Sequence, residues 1–129
     1  MDPITQQTVL AAAGAAGGGP VYVDDVFSTY LYDGNDSSSA RTITNGIDLA
    51  GEGGLVWTKV RDLADRHSLV DNERGIRYHL ASNETTAERD RNWFNSFNSD
   101  GYTFSTGDTE LNSTYDYASW TFRKAPGFF

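Results

Sequence analysis

The stretch VYVDDVFSTYLYDG, residues 21–34, decides the fold class. Between residues 26 and 32 large side chains fall on both sides of a two-residue alternation, Phe27 and Leu31 on one side and Val26, Tyr30 and Tyr32 on the other. Successive side chains of a strand face opposite sides of its sheet, so the pattern predicts a strand over 21–32 with two apolar faces. Such a strand lies between two sheets, or between its own sheet and a neighbouring subunit. Asp33-Gly34 then supplies a turn.

Working outward from this stretch, further β-prone runs fall at 40–44, 55–60, 68–71, 76–80, 102–105 and 118–123. Asn45-Gly46, Gly51 to Gly54, Gly75, Asp100-Gly101 and Gly107 separate them, residues that tolerate positive φ or close turns through their side chains. About seven short strands with short connections predict an all-β, antiparallel sandwich or barrel over residues 21–129. One segment breaks the pattern: ETTAERDR, residues 84–91, reads as a short helix capped by Asn83.

Residues 1–20 have a different composition. They lack aromatics and end in AAAGAAGGGP. Asp2 suits an N-cap and Pro3 the first helical position, and helix is favoured from Ile4 until Gly14 and the later glycines end it. Ten residues cannot hold a helix alone, and Ile4, Val9 and Leu10 are the arm's only sizeable apolar side chains. The expectation is an arm, helical or extended, that orders against a partner. Ile4, Val9 and Leu10 would fill shallow pockets there, and small residues such as Ala11 and Ala12 would allow close approach.

A net charge of -8, from 18 acidic and 10 basic residues, opposes binding to phosphate backbones or anionic lipid, so neither nucleic acid nor membrane is an expected partner. With no Cys there is no disulfide and no thiolate site. His67 and His79 lie near Asp65, Asp71 and Glu73, but no nucleophile or metal-ligand motif accompanies them. Asp33, Asn35, Asp36 and Ser37 form an oxygen-rich loop, yet Ser38 and Thr44 stand where a calcium-binding EF-hand loop needs Gly and Glu. Carboxylate pairs for glycoside cleavage could be drawn from Asp24, Asp25, Glu52, Asp62 or Glu73, without any spacing that ranks them. No cofactor, metal or catalytic residue is expected, and the reading is of a non-enzyme. Tyr30, Tyr32, Trp57 and Trp93 are the candidate contacts to another subunit or to a glycan, with Trp120 as a further aromatic able to stack on a sugar.

Several blocks of sequence resemble a domain of virion proteins from marine and cyanobacterial tailed phages. These are residues 21–32, ITNGIDL at 43–49, GEGGLVWTK at 51–59, FNSDGY at 97–102 and the closing YASWTFRKAPGFF at 117–129; even the opening MDPITQQ is similar. The resemblance implies a concanavalin-like or jelly-roll sandwich that serves as the N-terminal part of a tail fibre or similar appendage, located in the virion tail. It implies other tail or baseplate proteins as partners and a homotrimer, the common symmetry of fibres. The resembling proteins usually continue beyond a segment like 124–129 into further β domains, so the expectation is either the first part of a longer fibre or a short adaptor. Two alternatives stay open: a carbohydrate-binding module for a host-surface glycan, or a capsid decoration protein.

Overall fold

The computed structural model describes residues 20–36, 39–106 and 110–129. Among these residues the chain forms nine strands: β1 Phe27–Asp33, β2 Arg41–Thr44, β3 Gly54–Val60, β4 Ser68–Asp71, β5 Tyr78–Ala81, β6 Arg89–Asp90, β7 Phe94–Asn98, β8 Gly101–Phe104 and β9 Asp116–Arg123. Two one-turn helices, Val23–Val26 and Leu49–Glu52, complete the elements. No helix among the described residues is long and apolar enough to cross a membrane. Six strands make one sheet in the order β1-β9-β3-β4-β5-β6, and three make the other in the order β2-β8-β7, every pair antiparallel. The fold is an antiparallel, open β-sandwich, as the alternation and turn spacing predict.

Two expectations are corrected. The expected strand over 21–32 begins only at Phe27, because Val23–Val26 closes a helical turn. Asp25 Oδ2 accepts a 2.9 Å bond from the Tyr22 amide while the Asp25 amide donates to Tyr22 O, a local side-chain-to-backbone closure that competes with strand pairing. Residues 84–91 form no helix. Arg89–Asp90 instead pairs with β5, Asn83 Oδ1 accepts from the His67 amide at 2.8 Å, and Arg77 meets Asp90 at 2.9 Å. A segment this short has little helix stability of its own, so tertiary pairing decides its state. The missed strand, β7, follows directly and carries Phe94 into the core.

The core fills the space between the sheets. From β3 and β4 come Val56, Val60 and Val70; from β1 and β9 come Tyr32 and Tyr117, stacked at 5.1 Å with 6° between their planes. The smaller sheet contributes Phe94, Tyr102 and Phe104, whose ring centres lie 5.3 to 5.5 Å apart. Buried phenols need partners, and these have them: Tyr32 donates to Leu111 O at 2.7 Å, Tyr117 to Glu110 O at 3.0 Å and Tyr102 to Ser119 Oγ at 2.6 Å. Gly101 opens β8 where β2 crosses close by. At its φ of 154° a Cβ would stand 1.9 Å from Ile43 O, so no larger residue fits.

Not every buried polar group is satisfied in this way: the hydroxyls of Thr58, Ser68 and Ser105 have no partner among the described residues, and His79 is the largest such side chain. It is 2% exposed, its ring lies 4.2 Å from that of Trp93, and neither ring nitrogen has a hydrogen-bond partner among the described residues. Burial, reinforced by Arg66, Arg89 and Arg91, pulls its pKa down to about 4, so the folded chain keeps this imidazole neutral. An unfolded histidine titrates near 6.5 and takes up its proton first. Stability is therefore full above about pH 6.5 and falls as the pH drops towards 4, by about 3 kcal/mol from this residue. Denaturant unfolding at pH 7 and pH 4.5 should show the wild type losing about that much more than His79→Leu; equal losses would contradict a buried neutral His79.

Candidate interaction face

The site with the clearest physical character is the side of the six-stranded sheet that points away from the core. In β3 the buried residues alternate strictly with partly buried ones, so Leu55, Trp57 and Lys59 share the outer side. Strand register carries that side across the sheet in rows. One row runs Phe27, Phe122, Leu55 and Asp71; the next runs Thr29, Trp120, Trp57, Leu69 and Leu80; a third runs Leu31, Ala118 and Lys59. The outer face is thus mainly apolar over five strands, while Leu31 is 58% and Leu80 37% exposed.

Its aromatic residues interlock. Phe27 meets Phe122 at 5.1 Å and 51°, and Trp57 meets Trp120 at 5.6 Å and 61°. Trp57 Nε1 donates to His67 Nδ1 over 3.0 Å, which fixes the indole and occupies its one polar atom. Residues 125–129 fold back through bonds between Ala125 and Phe129 and set Phe128 and Phe129 beside Phe122, at 6.4 and 5.7 Å. Both remain about half exposed.

Two charges of these rows are engaged by their own neighbours, while the next row, Asp33 and Asp116, closes one end of the face with carboxylates. Lys59 Nζ donates to the carbonyls of Val60 and Leu63, and Asp71 is held by Arg74 at 2.7 Å. A shallow cleft of about 290 Å³ borders the face at Leu55 and Phe129. Its walls include Glu73, whose carboxyl lies below the usual range because the Lys124 ammonium donates to it.

The candidate residues fall in different environments. Trp57 lies on the outer face. Tyr30 is partly buried against the core from the inner side. Tyr32 and Trp93 are 5% and 7% exposed, so their expected role as partner or glycan contacts is corrected: a side chain locked among core rings has no free surface. On the outer side of β1 no second layer covers Leu31 among the described residues. Ile4, Val9, Leu10, Ala11 and Ala12 lie outside the described residues. Phe122, Leu69 and Leu80 join the face although sequence reasoning did not single them out; the alternation along 116–123 was the available signal.

The oxygen-rich loop is occupied by a side chain of the protein itself. Arg41 donates to Asp33 O and, at 2.9 Å, to Asn112 Oδ1, while the amides of Asn35 and Asn112 bond at 2.8 Å. Of the carboxylates considered for glycoside cleavage, Asp24 and Asp25 share the helical turn Val23–Val26, and Glu52, Asp62 and Glu73 lie on three other segments. Among the described residues, no group of three or more His, Cys, Asp or Glu side chains could hold a metal. Where carboxylates do approach one another, Asp62 pushes the Asp116 carboxyl above its ordinary range.

Fold and face define a class, an antiparallel β-sandwich domain whose larger sheet carries an apolar outer side, its aromatics partly buried against one another, with no further layer over it among the described residues. Within it, the chain belongs to the family described as Domain of unknown function (DUF7483), which matches residues 23–128. No curated protein and no solved structure matches it.

The inside–outside assignment of β1 makes adjacent residues differ sharply. Leu31→Ser should change unfolding free energy by no more than about 0.5 kcal/mol, because that side chain is already largely in water. Tyr32→Ala should cost about 3–5 kcal/mol through cavity formation and loss of the buried bond to the Leu111 carbonyl. Urea titration of the two variants checks this; similar losses would contradict the assignment.

Proposed function

We propose that this protein is a non-catalytic structural module of a tailed-phage virion, an appendage or tail-fibre component that works by assembling with other chains. The observation that carries the assembly reading is the uncovered outer face. Large apolar side chains gathered on one surface, with Lys59 and Asp71 engaged by their own neighbours, mark a protein–protein contact more than a solvated wall. The virion setting and the tail location rest on the resemblance of the blocks between residues 21 and 129 to phage appendage domains. Residues 1–20 serve as the arm that docks on a tail or baseplate protein, so that the arm supplies the address and the sandwich the lateral contacts.

The rival carbohydrate-binding reading draws on Trp57 and Trp120, which stand on the open side of the sheet. Flat stacking on an extended sugar chain favours rings in a common plane, and the 61° between these two works against it. Glycan-array binding lost on Trp120→Ala would favour that rival.

Deleting residues 2–19 tests the anchoring role. The truncated chain should keep the far-ultraviolet circular dichroism and melting temperature of the full chain, yet be absent from purified particles in a complementation assay. Normal incorporation would sink the anchoring role.

A further inference from the structure

We infer that the outer face of the six-stranded sheet is covered by the same face of a second copy of this chain, the two sheets packing face to face about a two-fold axis. This deepens the assembly reading and rests on it. The first argument is size. The face spans three strands of seven to eight residues, β1, β9 and β3, and two of four, β4 and β5; at about 4.8 Å spacing and about 3.3 Å rise the footprint is roughly 450 Å². With the relief of its side chains and the Phe128–Phe129 fold-back, this reaches the small-to-standard class of specific interface, about 600–800 Å² per partner.

The second argument concerns what could cover it. Outside the described residues lie 1–19, 37–38 and 107–109; the first offers only Met1, Ile4, Val9 and Leu10 as sizeable apolar groups, and the other two none. That is too little for rows of aromatic and leucine side chains running across five strands. A second copy brings an equal apolar area, and a two-fold contact requires only that one patch be complementary to itself.

The third argument is charge. Lys59 and Asp71 lie towards opposite ends of β3, beside Val60 and Leu55 respectively, and a two-fold axis crossing the strands near Trp57 would set the Lys59 end of one copy over the Asp71 end of the other. Lys59 and Asp71 then face a charge of opposite sign rather than their own copies. Each chain nevertheless carries a net charge of -8, so the copies repel at long range while attracting at the apolar contact.

Sedimentation equilibrium of the full chain tests this, read beside acrylamide quenching of tryptophan fluorescence. The expected result is a monomer–dimer equilibrium that tightens as sodium chloride rises, with quenching that falls on association as Trp57 and Trp120 become covered. The double variant Leu31→Arg and Leu80→Arg should weaken association by about tenfold or more, because each charge would be buried at the contact. Both positions are exposed, so the variant's circular dichroism should match that of the wild type. A chain that stays monomeric, a trimer, association that weakens with salt, or association that survives the double variant would each overturn the proposal. Incorporation into particles is measured separately: a monomer that still enters the virion defeats the pairing alone, and a dimer excluded from particles defeats the virion reading alone.

Discussion

The Tyr102 hydroxyl of the three-stranded sheet reaches Ser119 Oγ on the six-stranded sheet at 2.6 Å, and the arrangement of both layers follows from this bond. Burial pushes the Tyr102 phenol well above its ordinary pKa, so it stays protonated and can only be buried where an acceptor waits. Ser119 is that acceptor, and its inward orientation fixes the alternation of β9. Tyr117 and Thr121 then face the core, while Ala118, Trp120 and Phe122 face outward. Because β9 lies between β1 and β3, its orientation passes sideways through the register to both neighbours. A one-residue slip would exchange the two sets and leave the phenol without its partner.

The outer face is a consequence of the same alternation. A sheet covered on one side usually carries polar residues on the other. Here the second set includes Phe27, Leu31, Leu55, Trp57, Leu69, Trp120 and Phe122, with Thr29, Lys59 and Asp71 between them and Asp33 and Asp116 at one end. Trp57 is anchored by His67 and Phe122 is flanked by Phe128 and Phe129, so the face is organised before any partner arrives. Preformed rings lose little conformational freedom on association, which suits a surface meant to be covered.

Much of the fold was legible in the sequence because strands and turns write themselves locally. The runs at 68–71 and 55–60 coincide with β4 and nearly with β3, where glycines and aspartate mark the ends. The failures came where distant residues decide. Residues 84–91 look helical until β5 recruits Arg89 and Asp90, and Val23–Val26 looks like strand until Asp25 closes on Tyr22. The candidate site was half legible. Alternation separates two faces but does not say which looks inward, since that depends on Tyr102 meeting Ser119 across the sandwich. Tyr32 and Trp57, similar as aromatic strand residues, therefore ended on opposite sides.

The central claim is that the outer face of the larger sheet exists to be covered in an assembly. A cryo-EM reconstruction of the assembly that the purified full chain forms is the decisive measurement. The account predicts protein density packed over Trp57 and Trp120 about 10 Å from the sheet. A map in which this face borders only solvent, with contacts confined to loops or strand edges, would contradict it.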